Sequence, residues 1–99
     1  MYKRQLDDAL SHYRAAAALY PLHPITYLYI GSYYQERGNP QAALEQYQKV
    51  LTLSDNAVAR YAGLRLMALL NMANIYRFLG DYTRAEECIE SAKHLPTRN

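Results

Sequence analysis

The feature that most constrains this chain is its likeness to itself. Ala9 recurs as Ala43, Tyr13 as Tyr47 and Ala16 as Val50, each pair 34 residues apart. Three coincident offsets of that length mark a repeat made of one supersecondary unit. Such a unit cannot hide its apolar face alone, so it stacks on its neighbour in sequence order. The clearest unit runs Tyr27-x2-Ile30-Gly31-x2-Tyr34, then Gly38-Asn39-Pro40, then Ala43-x3-Tyr47. Tyr27, Ile30, Tyr34 and Arg37 fall at i, i+3, i+7 and i+10, one stripe of a helix. Pro21 and Pro24 interrupt the preceding helix, and Pro24 suits the first turn of a new one that runs to about Arg37. Gly31 lets a paired helix approach closely, because a larger side chain would hold the backbones apart. Gly38 serves as the C′ residue, Asn39 as the N-cap and Pro40 as the first residue of a partner helix to Leu53. That partner carries its own stripe of Ala43, Leu44, Tyr47, Val50 and Leu51.

Two further units flank this one. Ala9-x3-Tyr13 is a second-helix pattern with no first helix before it, so the chain enters a unit midway, with a helix from about Leu6 to Leu19. On the C-terminal side, Gly38 to Gly80 and Ala43 to Ala85 are both 42 residues, which places 8 extra residues between Ser54 and Leu66. Ser54, Asp55 and Asn56 are all competent N-caps. Val58, Tyr61, Leu64 (or Arg65), Ala68, Leu69, Met72, Tyr76 and Leu79 keep helical spacing. The expectation is one long helix over Asn56 to Leu79, longer by about two turns. Gly63 costs such a helix about 1 kcal/mol against alanine, so a kink or break there is the alternative. Asp81 can cap a last helix from about Tyr82 to Leu95, closed by Pro96.

An aromatic, an apolar residue, a small residue and a tyrosine on one face, followed by Ala-x3-aromatic, resembles the tetratricopeptide repeat. The resemblance covers nearly all of Leu6 to Pro96. It implies an all-α fold, a right-handed α-solenoid of antiparallel helix pairs with about five helices. The expected division is 6–21 as the second helix of a truncated repeat, 22–54 as a full repeat, 55–96 as a repeat with a lengthened first helix, and 97–99 as a tail. Met1-Tyr2-Lys3-Arg4-Gln5 reads as the translation of a transposon sequencing adapter (ATG TAT AAG AGA CAG) and is expected to be a scar. A genuine basic N-terminus is the alternative. With that scar, the chain is expected to be a fragment of a longer array.

Few function classes other than binding find support. The chain has 11 basic and 9 acidic residues, and setting aside Lys3 and Arg4 leaves 9 against 9. That balance does not favour nucleic acid as a partner. The longest apolar run, near Met67 to Leu70, is far short of the roughly 20 residues of a membrane span, so no membrane partner is expected. Charges in Met1 to Leu10 stand where a signal peptide needs an apolar stretch. The single cysteine excludes an internal disulfide framework and fits a reducing compartment such as the cytoplasm.

No catalytic residue, metal site or cofactor is expected, and the chain reads as no enzyme. His12, His23 and His94 are scattered, and none forms an i, i+4 pair suited to metal. Cys88 lies beside Glu86, Glu87 and Glu90, which raise a thiol pKa, so it reads as a packing residue. The four glycines are isolated at repeat-defined places, so no phosphate loop exists. Six of the 11 tyrosines (Tyr13, Tyr27, Tyr34, Tyr47, Tyr76 and Tyr82) occupy the repeat's aromatic and core positions. Tyr29 and Tyr33 lie off the stripe of their helix, where they either flank a groove or pack on a neighbouring helix.

The resemblance also implies a binding face. Arrays of this family hold extended peptides in a concave groove lined by first helices. By that analogy the groove-facing residues are Ile25, Leu28, Ser32, Gln35 and Glu36 in the full repeat. In the long repeat they are Met67, Leu70, Asn71, Asn74, Arg77 and Phe78. Asn71 and Asn74 match asparagines that in many such repeats bond a ligand's backbone, although they also fit as consensus structural residues. Leu28 and Ser32 stand where chaperone-tail binders carry a lysine and an asparagine, so a carboxylate clamp is not supported. The expected partner is a protein or peptide segment. One alternative is self-association through uncapped ends, since no charged capping helix follows Pro96. Another is service as the repeat region of a larger enzyme such as a glycosyltransferase.

Overall fold

Two short turns organise the molecule. Gly38 and Gly80 take left-handed φ values of 74° and 83°, a region that costs glycine nothing. At the first, the Gly38 N–H donates to Gln35 O at 3.1 Å and the Asn39 N–H to Tyr34 O at 2.9 Å. At the second, Gly80 donates to Arg77 O at 3.1 Å and Asp81 to Tyr76 O at 2.8 Å. This paired pattern is the Schellman motif, and it satisfies carbonyls that a helix end leaves open. The next residue then starts the partner helix. Asn39 Oδ1 accepts from the Ala42 N–H at 3.3 Å, and Asp81 Oδ1 from the Arg84 N–H at 3.2 Å.

The computed structural model describes residues 2–54 and 58–96, with side-chain surroundings from residue 8 onward. The described residues form five α-helices and no strand: α1 (Tyr2–Leu19), α2 (Pro24–Glu36), α3 (Pro40–Leu53), α4 (Ala62–Phe78) and α5 (Tyr82–Lys93), with a 3-10 turn at Ala59–Tyr61. Each helix packs on the next, and the first helices α2 and α4 also touch, whereas α3 and α5 do not approach each other. The result is an all-α solenoid of helix pairs. None of the described helices is long and apolar enough to cross a membrane. Helix α1 takes in Tyr2 to Gln5, four residues before its expected start at Leu6.

The region before α4 departs from expectation. The long helix over Asn56 to Leu79 does not form; α4 starts at Ala62, and Val58 is extended ahead of the 3-10 turn. The interruption precedes Gly63, which sits inside the first turn of α4. Ser54, one of three candidate caps for the long helix, instead ends α3. Its Oγ donates to Val50 O at 2.5 Å. Asp55 and Asn56, the other two, lie outside the described residues, as do residues 97–99. Arg65 fixes this junction. Its Nη1 donates to Leu51 O at 2.8 Å, to Ser54 Oγ at 3.2 Å and to Ser54 O, occupying carbonyls at the end of α3.

The core lies between the helix pairs. Ala43, Tyr47, Val50 and Ala68 are fully shielded, joined by Leu28, Leu69, Met72, Ala73, Ile75, Ala85 and Cys88. Tyr47 is the largest of the fully buried side chains, and its ring crosses α2 at Gly31. A Cβ on Gly31 would lie 2.6 Å from Tyr47 Cε1 and 2.8 Å from Cδ1. The glycine is therefore the slot that admits the ring.

Four of the six tyrosines assigned to packing follow the same logic. Tyr47 is core, and Tyr27, Tyr34 and Tyr76 pack against it. Tyr13 is half-buried. Tyr82, however, is 64% exposed at the start of α5, with no helix among the described residues covering that side. Tyr29 stacks on Tyr13 of α1 with centroids 5.3 Å apart, and Tyr33 is buried edge-on against Tyr34. Both pack on neighbouring rings, and both also line a hollow at the α1–α2 contact, where Tyr29 remains 46% exposed.

Candidate functional site

The expected binding residues of α4 form one stripe, because Met67, Leu70, Asn71, Asn74, Arg77 and Phe78 repeat at three- and four-residue steps. Met67, Leu70, Asn74, Arg77 and Phe78 are exposed, and Asn71 is half-buried. Phe78, at 84% exposure, is an unusually open aromatic. On α2, Ile25, Ser32 and Gln35 are half-buried and Glu36 is exposed.

Leu28 does not join them. It is only 3% exposed and belongs to the core that α2 shares with α3 and α4. Leu70 holds the same place in the next unit, 42 residues on, and is 43% exposed, with no further first helix among the described residues packed on that face of α4.

The remaining polar candidates meet at one hidden atom. Tyr47 Oη donates to Gln35 Oε1 at 2.6 Å and lies 3.3 Å from Ser32 Oγ. Asn71 of α4 faces the same phenol and favours its ionised form. Burial pushes the Tyr47 pKa up; Ser32 and Asn71 oppose that rise, and Glu36 adds to it. The phenol therefore stays protonated at neutral pH. Ser32 and Gln35 of one first helix are thus tied to a second-helix residue, with Asn71 of the next first helix facing it.

Beside this cluster lies a cavity of about 300 Å3, lined by Gln35, Gly38, Pro40, Asn74, Ile75 and Phe78. It brings together Gln35 of α2 with Asn74 and Phe78 of α4. Ser32 lines a different hollow of about 250 Å3, shared with Tyr13, Tyr29, Tyr33 and Glu36 at the α1–α2 contact. Met67, Leu70 and Arg77 line neither. A larger, more open furrow of about 560 Å3 runs between α3 and α5, floored by Met72 and Tyr76 and edged by Glu45, Asp81 and Arg84.

Sequence reasoning missed three participants: Ile75, the Gly38–Pro40 turn as a cavity wall, and the Tyr47 hydroxyl. The last had a legible signal, since a tyrosine at a fully buried position needs a partner for its hydroxyl.

Two of the other reactive side chains hold structural places. Cys88 is buried in the core, and burial raises its pKa with Glu87 adding to the effect. His23 caps α2, its Nδ1 accepting from the Ile25 N–H at 3.4 Å. His94 is paired at i, i+4 with an acidic residue of its own helix. His94 Nε2 lies 3.2 Å from Glu90 Oε1, both on the exposed side of α5. Among the described residues no group of three ligating side chains surrounds that pair.

Stacked helix pairs, Schellman turns at a fixed place in each unit, and a face of first-helix side chains define a helical-repeat scaffold. A family model described as tetratricopeptide repeat matches residues 1–58, and a second of the same description matches residues 68–98. The chain belongs to the tetratricopeptide repeat family, whose repeats are generally protein-interaction modules. No curated protein matches the chain.

Proposed function

We propose that the chain is a non-catalytic module that holds an extended segment of another protein along the face made by α2 and α4. One observation carries the reading. Gln35, Asn74 and Phe78, from two consecutive first helices, converge on a single apolar-walled cavity, and the exposed Met67 and Leu70 continue the same face along α4. Exposed aromatics beside amide side chains give a peptide both contact area and backbone hydrogen bonds.

The test is selection from a phage-displayed library of random peptides, followed by affinity measurement on the peptide selected. Asn74→Ala and Phe78→Ala should each weaken binding by about tenfold, typical of a residue at the centre of an interface. Both side chains are exposed, so helical content should not change. Unaltered binding by both variants would remove this face from consideration.

A second reading has support of its own. Leu28 is buried in the core that α2 shares with α3 and α4, while its counterpart Leu70 is open, so the face of α4 suits another helix packed as α4 packs on α2. Here the occupant is a second copy of the chain. Light scattering across a concentration series separates the two: a dimer dissolved by Leu70→Glu supports the second, and a monomer at every concentration discards it.

A further inference from the structure

Tyr47 belongs to α3, is fully buried, and offers a ligand no surface. Its hydroxyl nevertheless touches two side chains of the face above it, Ser32 and Gln35. A phenol has one proton to give, and at 2.6 Å the Gln35 contact is an O–H···O bond. With that proton committed, the Ser32 hydroxyl at 3.3 Å is the donor in the second contact. The amide oxygen of Gln35 is thereby held inward, which turns its Nε2 donors away from Tyr47. Gln35 lines the cavity between α2 and α4 together with Asn74. Only the donor end of its amide is left to meet an incoming group.

Size and lining narrow the ligand further. About 300 Å3 is the low end of the range for ligand pockets, which suits one anchoring side chain and not a whole small molecule. Ile75, Phe78, Pro40 and Gly38 form apolar walls.

We infer that Tyr47 is a positioning residue that sets the polarity of the groove: it presents Gln35 as a fixed donor, so the cavity takes an apolar peptide side chain whose adjoining backbone carbonyl accepts from Gln35 Nε2. This inference rests on the reading of the α2–α4 face as a peptide site. It adds which backbone atom is read and which residue outside the groove enforces it.

The probe is the peptide selected from the random library, made in two forms: one with its native backbone, and one in which the carbonyl beside the anchoring residue is reduced to a methylene. Gln35→Glu keeps an acceptor for Tyr47 and replaces the outward donor by an acceptor. It should bind the native probe at least tenfold more weakly, with unchanged thermal melting. Tyr47→Phe frees the amide to turn and should cost roughly twofold to tenfold. The reduced probe should bind wild type as weakly as Gln35→Glu binds the native one, and should lose nothing further on Gln35→Glu.

Wild-type affinity in both variants, alongside a loss in Phe78→Ala, would overturn this inference and leave the peptide-site reading standing. Selection of no peptide by the wild type would overturn both. Should Tyr47→Phe fail to fold, Gln35→Glu and the reduced probe decide the matter alone, because neither removes a buried group.

Discussion

Replacing Gly31 by alanine puts a methyl group where the Tyr47 ring already lies. The new Cβ would stand 2.6, 2.8 and 3.0 Å from three ring carbons, all inside van der Waals contact. The ring has little freedom to retreat, since it is fully buried and its hydroxyl is tied to Gln35 and Ser32. Two opposed effects set the magnitude. In a helix interior, Gly→Ala stabilises by about 0.5–1 kcal/mol through lost chain entropy. Overpacking a closed core costs about 1–3 kcal/mol.

Gly63 supplies the control. It is also helical, but a Cβ there would meet nothing within 4 Å, so Gly63→Ala should show the favourable effect alone. The two variants should therefore differ by about 1–3 kcal/mol, with Gly31→Ala the less stable. Urea denaturation followed by far-ultraviolet circular dichroism reads that difference. In a domain of this size each kcal/mol also moves the melting temperature by about 4–8 °C. If Gly31→Ala proves as stable as Gly63→Ala, the approach of α3 to α2 through that slot is wrong.

Other consequences follow from the same contacts. Arg65→Met keeps the aliphatic stem but leaves the α3 carbonyls of Leu51 and Ser54 without their charged donor; denaturant titration should show a loss of about 1.5–3 kcal/mol. Tyr47 and Cys88 both have pKa values raised by burial above ordinary values of 10.0 and 9.0. Each is neutral when protonated, and the unfolded chain loses these protons first as pH rises. Their contribution is complete below about pH 9 and fades above it, so the urea midpoint should fall at alkaline pH. Replacing Cys88 by alanine should flatten the earlier part of that decline, and an identical pH profile would refute the assignment.

What could be read from the residues was whatever is settled locally. The Gly38-Asn39-Pro40 and Gly80-Asp81 turns carry their own capping chemistry, so α2, α3 and the start of α5 lie where the residues put them. The start of α4 was misread because a 3-10 turn shifts the apolar phase only slightly, so Val58, Tyr61 and Leu64 keep a helix-like spacing across a real interruption. Ser54 misled for a related reason, since its hydroxyl can serve either end of a helix.

Burial depends on what packs next door, and a single unit does not contain that information. Leu28 and Leu70 occupy equivalent positions, yet one is core and the other open. Tyr82 sits at a packing position left open among the described residues, while Tyr29 and Tyr33 meet rings of Tyr13 and Tyr34. The convergence of Ser32, Gln35 and Asn71 on Tyr47 required three helices to be assembled before it became visible.

The most direct test of a binding face on α2 and α4 is a titration of backbone-amide resonances with the selected peptide. The account predicts shifts confined to Gln35, the Gly38–Pro40 turn and the α4 residues from Leu70 to Phe78, saturating at one peptide per chain. Shifts gathered instead around Glu45, Asp81 and Arg84 would move the site to the furrow between α3 and α5 and contradict the account.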